Sequence, residues 1–425
     1  MDRRHFLLRG AAGLGAAGLI GPGGLMAQAA QPLFDPIGPV TPIRANPDRI
    51  FRITVCLRPF RAAGPRIETE QVGRKLVVHN YGHGGSGWSL SWGSAQLAVA
   101  QAMADSPREI AVIGAGALGL TAAITAQRAG AKVVIYAKER FPDVRSARAT
   151  GSWTPDSRVA MADAVSPGFA ALWSGMAHAS YATWQSYVGL PGDPVLWSDR
   201  YTLSDLAPDA MRAAGRATEV AGFAHYGDLI ADISPRSQVF GPGTHPFVTG
   251  YALRNSQMTF NVAGLAHLLT SDFLMAGGRI ETAEFHEPSD LGRLREKVIV
   301  NCTGYGARAL FRDESVVPVR GQIAWLLPQA GVDYGLFYDN VSVLGRRDGI
   351  VVQDMGPDDR FGFNDDNETP TARRPRHRCG RSRGCGRRRS EDSAKRKGRV
   401  AARRPPFRLS GSDRVRAWRS APARP

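Results

Sequence analysis

Residues 109–130 read Glu109-Ile-Ala-Val-Ile-Gly114-Ala-Gly116-Ala-Leu-Gly119-Leu-Thr-Ala-Ala-Ile-Thr-Ala-Gln-Arg-Ala-Gly130. The pattern is an apolar strand, a glycine turn and an alanine-rich helix, and 132–139 supplies a second strand. Gly114 permits the turn, Gly116 lets the backbone approach a pyrophosphate, and Gly119 allows close helix packing. Glu139 follows Gly119 by 20 residues, where an acidic side chain hydrogen-bonds a ribose. The sequence predicts a dinucleotide site at Gly114, Ala115, Gly116, Ala117, Leu118, Gly119, Lys138 and Glu139, and leaves NAD and FAD open.

A second glycine-rich segment lies upstream, His79-Asn-Tyr-Gly-His83-Gly84-Gly85-Ser86-Gly87-Trp88-Ser89. It resembles the flavin-binding signature of the D-amino-acid oxidase family, which favours FAD. The resemblance implies that Gly84, Gly85, Ser86, Gly87, Trp88 and Ser89 lie against FAD. Glycines bring N–H donors close to such a ligand because they carry no Cβ. His79 and His83 invite a catalytic interpretation, but we favour a structural one.

Three later segments carry the same resemblance. Ala149–Pro155 is similar to the family loop along the cofactor, 298–304 to a central strand ending at the nucleotide, and 318–323 to the return into the substrate domain. Further FAD contacts are implied at Gly151, Ser152, Trp153, Thr303 and Gly304. The familiar oxidases carry the flavin signature near the C-terminus, whereas here it precedes the dinucleotide motif. We therefore predict a circular permutation of 50–105 that preserves the three-dimensional site.

Candidate substrate contacts come from two other segments. Arg58, in Thr54-Val-Cys-Leu-Arg58-Pro-Phe-Arg61, matches the family arginine that holds the substrate carboxylate, a role suited to a planar guanidinium. An ion pair at the surface is the alternative. Tyr338 matches the first of two family tyrosines over the substrate, and Ser342 occupies the second position. Tyr251 is a candidate replacement, with a core position as the alternative.

The resemblance implies an α/β fold, with a Rossmann-like FAD-binding domain (31–165 plus 261–305) and a mixed-sheet α+β substrate domain (166–260 plus 306–365). It implies hydride transfer from Cα of a D-amino acid or related amine to FAD, giving an imino and then a 2-oxo acid, while O2 is reduced to H2O2. Two alternatives stay open: a dehydrogenase that uses another electron acceptor, and an inactive flavin-binding protein with a basic tail.

The net charge of +16 comes from one end of the chain. Residues 371–425 hold 20 of the 54 Lys and Arg residues but 3 of the 38 Asp and Glu residues, without apolar periodicity. A basic nucleic-acid arm, a solvated tail and out-of-frame translation of a GC-rich gene end all fit this composition. We favour the last, and predict no nucleic-acid partner for the nearly neutral body.

The first 30 residues resemble a twin-arginine leader, with Arg3-Arg4 before an apolar stretch and Ala27-Gln-Ala29 as a cleavage site. We therefore expect the twin-arginine export machinery as a partner, a periplasmic or extracellular location, and no stable membrane insertion. The four cysteines show no ligand spacing, so no metal site is predicted, and Cys56 and Cys302 are expected to be small buried hydrophobes.

Overall fold

The computed structural model describes residues 35–211, 213, 222–358 and 360–371. The predicted leader at 1–30 and residues 372–425 of the basic segment lie outside this range. The strands are β1 (Ile50–Arg61), β2 (Thr69–Val72), β3 (Lys75–His79), β4 (Glu109–Ile113), β5 (Lys132–Ala137), β6 (Val195–Ser204), β7 (Gln238–Phe240), β8 (Tyr251–Phe260), β9 (Arg279–Thr282), β10 (Val298–Asn301), β11 (Val316–Leu326), β12 (Gly335–Tyr338), β13 (Val341–Arg346) and β14 (Gly349–Asp354). The α-helices are α1 (Gly87–Ala102), α2 (Ala117–Arg128), α3 (Phe169–Gln185), α4 (Val262–Met275) and α5 (Ala307–Leu310).

The first sheet has six strands in the order β2-β3-β10-β4-β5-β9. All except β2 run parallel to their neighbours, and β2 pairs with β3 in antiparallel fashion at one edge. Residues 298–301 of β10 and 110–113 of β4 are buried, as expected of parallel strands covered on both faces. The predicted strand, glycine turn, helix and second strand are formed by β4, α2 and β5, which confirms the Rossmann-like part of the fold.

The upstream glycine segment joins this same sheet. β3 pairs with β10 in register from Leu76–Val298 to His79–Asn301, and α1 then packs against α2 and α3. Residues 103–108 connect the end of α1 to β4. Parallel pairing through β10 therefore brings the 83–89 loop to the edge of the sheet that holds the 114–118 turn.

The second sheet has eight strands in the order β1-β11-β14-β13-β12-β6-β8-β7. It combines antiparallel pairs with the parallel pair β6–β12, so the predicted mixed-sheet substrate domain is present. β1 departs from the predicted domain boundaries, because it lies in this sheet and not in the six-stranded one. It pairs with β11 from Ile50–Leu326 to Arg61–Val316, and this long antiparallel ladder fixes its place.

The described part of the chain contains no helix that is long and apolar enough to cross a bilayer. Within the same residues, no cluster of three His, Cys, Asp or Glu side chains is arranged to hold a metal ion. Cys302 is buried and Cys56 is partly buried, and both are free thiols. Burial raises the pKa of the Cys302 thiol to about 12, which makes it a poor nucleophile at neutral pH.

Candidate functional site

A cavity of about 1250 Å³ lies where the two sheets meet. Its lining includes sixteen of the predicted cofactor contacts, drawn from five separate segments of the chain. They are Gly84, Gly85, Gly87, Trp88, Ser89, Gly114, Ala115, Gly116, Ala117, Leu118, Lys138, Glu139, Gly151, Ser152, Thr303 and Gly304. Ser86, Gly119 and Trp153 are buried and are not part of the lining. The structure thus brings the separate sequence motifs to one place.

The turn between β4 and α2 depends on close backbone packing. Gly114 has φ +102°, and a Cβ there would lie 2.6 Å from the carbonyl oxygen of Cys302, so this position requires glycine. A Cβ on Gly119 would overlap the carbonyl oxygen of Gly114. Gly116 forms the N-cap of α2, and the Ala117 N–H donates to Ser146 Oγ at 3.0 Å. The start of α2 therefore presents positive dipole ends to the cavity.

The 83–89 loop is held by the segment at 157–158 and by Ser146, which line the same cavity. The Gly85 N–H donates to the carbonyl oxygen of Ser157 at 2.9 Å, and Gly84, at φ +56°, has no room for a Cβ beside the Arg158 carbonyl. Trp88 Nε1 donates to the carbonyl of Ser146 at 3.0 Å. These bonds fix the position of the loop in the cavity wall.

Arg58 extends from β1 into the cavity lining. Its guanidinium lies over Gly321 of β11, where a Cβ would be 2.6 Å from Nη2. Among the described residues it has neither a hydrogen-bond acceptor nor a carboxylate within ion-pair distance. Burial lowers the pKa of Arg58, opposed by neighbouring Cys56. An unpaired, partly buried guanidinium in a cavity wall is a natural site for a carboxylate ligand.

The two candidate tyrosines do not reach the cavity. Tyr338 ends β12 beside a turn formed by Asp339 and Asn340, which both have positive φ, and its hydroxyl donates to the Asp205 carboxylate at 3.0 Å on the exposed side. Tyr251 pairs with Ser204 at the far end of β8 and is not in the lining. The side chains that line the cavity on β12 and β13 include Phe337 and Ser342 instead.

Sequence reasoning missed several polar residues of the lining on the eight-stranded sheet, among them Arg200, Gln257 and Gln353. Gln353 accepts from Thr150 Oγ1 at 2.9 Å, and Gln257 donates to the carbonyl of Trp153. Both therefore anchor the 149–154 loop against the sheet. No motif marks these residues, because their role depends on neighbours that are distant in sequence.

Comparison with known proteins places the chain in a family. The model of the FAD-dependent oxidoreductase (DAO) family matches residues 109–393. The chain belongs to this family. FAD is therefore the cofactor that its members use, and the choice between NAD and FAD is resolved.

The similar proteins include two D-amino-acid oxidases. The one from Streptomyces coelicolor is 28% identical over 223 residues, which cover 51% of this chain and 58% of that protein. The one from Dictyostelium discoideum is 55% identical over 56 residues, 13% of this chain and 16% of that protein. The chain thus aligns with less than two thirds of either relative. Among solved structures, iminodiacetate oxidase from Chelativorans sp. BNC1 is 16% identical with a TM-score of 0.41, covering 59% of this chain and 73% of that one.

The residues of the cavity fit the demands of FAD. The positive end of α2 and the Cβ-free backbone at Gly114 and Gly116 suit a pyrophosphate, and Glu139 follows β5 in the lining. His83 also lines the cavity, is fully buried, and has an Nδ1 atom without a hydrogen-bond partner. A dinucleotide would bring hydroxyl and N–H donors that could satisfy such an acceptor.

The tautomer of His83 follows from its neighbours. Ser94 Oγ donates to Asn80 Oδ1, so at 2.7 Å from His83 Nε2 it accepts the ring N–H. Nδ1 is then a bare acceptor. Burial lowers the pKa of His83 to about 3, and the ring is neutral at physiological pH. His79 is likewise buried, between Glu70 and Asn301, which agrees with a structural role.

The neutral state of His83 predicts a loss of stability in acid. In the unfolded chain the ring binds a proton below its ordinary pKa of 6.5, whereas in the folded chain it resists protonation until about pH 3. The free energy of unfolding should fall as pH decreases between these values, by up to about 1.4 kcal/mol per pH unit from this residue. His83→Gln keeps an N–H for Ser94 but does not titrate. In urea-unfolding experiments, the decrease of its free energy of unfolding with decreasing pH should therefore be shallower than that of the unsubstituted chain, by the equivalent of about one proton.

His178→Gln is the matched control for that measurement. The partly exposed His178 donates from Nδ1 to the Ser174 carbonyl and, when protonated, from Nε2 to the Asp232 carboxylate, and both acceptors raise its pKa. Its contribution is therefore present at low pH and is lost as pH rises through the folded-state pKa, the opposite sign to that of His83. If the free energy of unfolding depended on acid pH equally in the unsubstituted chain and in His83→Gln, the His83 ring would not be held neutral in the folded protein.

Proposed function

We propose that this chain oxidises the Cα–N bond of a D-amino acid, giving an imino acid that hydrolyses to a 2-oxo acid. The observation that carries the proposal is the unpaired guanidinium of Arg58 in a cavity that also gathers the FAD motifs. The D configuration is supported by the activity named for the relatives from S. coelicolor and D. discoideum. FAD, when bound, accepts the hydride equivalent and passes electrons to O2, with H2O2 as product, or to another acceptor.

The protein's part in this reaction is to bind and orient the substrate. Arg58 holds the α-carboxylate by two parallel hydrogen bonds, which fixes the direction of the Cα–H bond. Gly321 lets the guanidinium lie flat on β11. On the side of β12 the cavity lining includes the partly buried Leu336 and the more exposed Phe337. No side chain of the cavity is needed as an obligatory acid or base, because substrate amines release a proton to solvent before oxidation.

The proposal is tested by the absorbance of the flavin in the full chain reconstituted with FAD. Under anaerobic conditions, a D-amino acid should bleach the visible band of oxidised flavin, while its L-enantiomer and an amine without a carboxylate should not. Readmitting O2 should restore the band with one equivalent of H2O2 if oxygen is the acceptor. Bleaching by the L-enantiomer or by the simple amine alone would overturn the proposal, and restoration only by an added dye would assign a dehydrogenase.

We further propose that 50–105 is a circularly permuted segment of the family fold. The family match begins at Glu109, directly after this segment, yet β3 pairs with β10 and the 83–89 loop lines the same cavity as the 114–118 turn. A chain re-joined with 50–105 placed after 365 should fold and bind FAD. Failure of that chain to bind FAD, with the original order binding it, would contradict a simple permutation.

Export by the twin-arginine route also remains our proposal. It rests on Arg3-Arg4 and the 27–29 cleavage sequence, and it suits a protein that must fold around its cofactor before transport. Replacing Arg3 and Arg4 with lysine should retain the protein in the cytoplasmic fraction. Equal export of the two forms would contradict this route.

A further inference from the structure

A chain of hydrogen bonds connects the protein surface with the cofactor cavity at Thr303. Glu70 Oε2 lies 2.9 Å from His79 Nε2, and His79 Nδ1 lies 3.0 Å from Asn301 Nδ2. Asn301 Oδ1 accepts from the N–H of Thr303 at 3.2 Å and from its Oγ1 at 2.8 Å. His79 and Asn301 are fully buried, whereas Glu70 is partly exposed and Thr303 lines the cavity.

The orientation of the Asn301 amide follows from the backbone of Thr303. A backbone N–H can only donate, so the amide atom that faces it is the oxygen. The amide nitrogen of Asn301 therefore faces His79 and donates to Nδ1. A neutral histidine ring that accepts at Nδ1 carries its proton at Nε2, which here donates to the Glu70 carboxylate. Each donor of the chain then has an acceptor.

The surroundings of His79 keep the ring neutral. Burial lowers the pKa of His79 below its ordinary value and outweighs the opposing hydrogen bond to the Glu70 carboxylate. The Arg66 guanidinium lowers this pKa further, whereas the Glu68 carboxylate raises it. Two aromatic side chains pack edge-on against the ring, Tyr81 and Phe311. At neutral pH the ring therefore carries a single proton.

Thr303 lies where a change in the backbone would reach the cofactor. The preceding residue, Cys302, contacts the dinucleotide turn, because a Cβ on Gly114 would lie 2.6 Å from its carbonyl oxygen. The following residue, Gly304, has φ +57° and lines the cavity together with Thr303. Rotation of the Asn301 amide would remove the acceptor that holds this segment. It would thereby disturb the cavity wall and the dinucleotide turn beside it.

We propose that His79 is a positioning residue for FAD, acting through the Asn301 amide on the backbone at Thr303. This role requires an acceptor at the position of Nδ1, because only then does Asn301 direct its oxygen toward Thr303. Protonation of His79 would place a second N–H against the Asn301 amide nitrogen. The amide would then rotate and leave the Thr303 N–H without an acceptor, which weakens FAD binding. The inference rests on the cofactor of the family and not on the substrate of the proposed function.

Two amide variants of His79 separate this acceptor from the space that the ring fills. The asparagine of His79→Asn places its oxygen near the position of Nδ1, where it accepts from Asn301 and does not titrate. The glutamine of His79→Gln reaches the position of Nε2 and contacts Glu70, but it leaves the Asn301 amide without an acceptor at Nδ1. Fluorescence titration of the full chain with FAD near neutral pH should give His79→Asn an affinity within about threefold of the unsubstituted chain, and His79→Gln one about tenfold weaker or more.

The pH dependence of FAD affinity is a readout that packing alone does not change. In the unsubstituted chain, the dissociation constant should rise as pH falls through the folded-state pKa of His79, which lies below the ordinary value of 6.5. The rise should reach at most about tenfold per pH unit, and His79→Asn should lack it. Glu70→Gln should shift the rise to lower pH, because the Glu70 carboxylate raises the pKa of the ring.

His178→Gln is the matched control for the pH series. His178 is a partly exposed histidine outside the cavity lining, so this variant should keep the FAD affinity and the pH profile of the unsubstituted chain. Urea unfolding without FAD shows whether the His79 variants fold. A measurement on the unsubstituted chain complements them, since nitrogen NMR with labelled histidine reports which ring nitrogen of His79 carries the proton, with the signals assigned by their absence in His79→Asn.

Three results would overturn the proposal. The first is a proton on Nδ1 of His79 at neutral pH, and the second is equal FAD affinity in His79→Asn and His79→Gln. The third is an acid dependence of FAD affinity that His79→Asn leaves unchanged. These experiments involve no turnover, so a failure of D-amino acids to bleach the flavin would refute the proposed function and leave the role of His79 to be decided by FAD binding.

Discussion

Arg58→Met is expected to lower kcat/KM for D-amino acids by about a hundredfold or more. The substitution leaves the substrate carboxylate without its cation, and truncating one partner of a buried charge pair costs about 2–5 kcal/mol. Part of the loss should appear in KM and part in kcat, because the carboxylate contact also orients the Cα–H bond. Steady-state kinetics with one D-amino acid measures both parameters.

The same substitution should make the cofactor-free chain more stable. Arg58 is a partly buried cation with no counter-ion among the described residues, so an apolar side chain of similar length removes the cost of partly desolvating an unpaired charge. A gain in the free energy of unfolding together with a loss of activity is typical of a residue placed for function and not for folding. Urea unfolding of Arg58→Met and the unsubstituted chain, both without FAD, measures this difference.

Two controls give the Arg58 experiment its specificity. Arg61→Met lies in the same strand but removes a side chain that pairs with Asp313 and Ser315 away from the cavity, so it should cost stability and leave kcat/KM nearly unchanged. Arg58→Lys should recover only part of the activity, because an ammonium cannot make the two parallel hydrogen bonds. Unchanged kinetics in Arg58→Met would remove Arg58 from the substrate site.

The parts of the fold that sequence predicted well are local in the chain. The β4–α2–β5 unit follows from contiguous residues, since Gly119 packs against the Gly114 carbonyl of the same turn and Gly114 packs against Cys302 at the end of the next strand in the sheet. The 83–89 loop was placed by its resemblance to a flavin signature, and parallel pairing of β3 with β10 brings it to the same cavity. Short-range geometry and a specific motif together sufficed for these elements.

The parts that escaped prediction depend on contacts between distant segments. Tyr338 turns outward because the Asp339–Asn340 turn and the Asp205 carboxylate set its direction, and neither is visible in the spacing of the family tyrosines. Arg200 carries no motif, and its position is defined by Ser152 and Thr259, which lie 48 and 59 residues away. The membership of β1 in the eight-stranded sheet likewise rests on pairing with β11, more than 250 residues later.

Gly119→Ala and Gly116→Ala should separate folding from cofactor binding in the dinucleotide turn. A methyl group at Gly119 overlaps the carbonyl oxygen of Gly114, so α2 must move away from the turn, at a cost of about 3 kcal/mol in the free energy of unfolding. FAD affinity should fall with it, although Gly119 is not part of the cavity lining. Its effect on the cofactor passes through the position of α2.

Gly116→Ala should behave differently because its surroundings can adjust. The backbone φ is −81°, which any residue adopts, and the closest atom to the added methyl is Ser146 Oγ at 3.0 Å, which must shift slightly while it keeps its hydrogen bond from the Ala117 N–H. The stability of the FAD-free chain should therefore change by less than about 0.5 kcal/mol. The methyl nevertheless stands where the backbone must approach a pyrophosphate, so FAD affinity should fall by about tenfold or more.

Urea unfolding without FAD, and titration with FAD followed by quenching of its fluorescence, give the two quantities for each variant. Gly175→Ala is the control, because Gly175 lies on the exposed side of α3 with open space around it and should add about 1 kcal/mol of stability without changing FAD affinity. If Gly116→Ala bound FAD as tightly as the unsubstituted chain, the pyrophosphate would not pass over this turn. A loss of stability in Gly116→Ala equal to that in Gly119→Ala would instead mean that both glycines are required for packing. The prediction is that only Gly119 is required for packing, whereas Gly116 is required for binding of the dinucleotide.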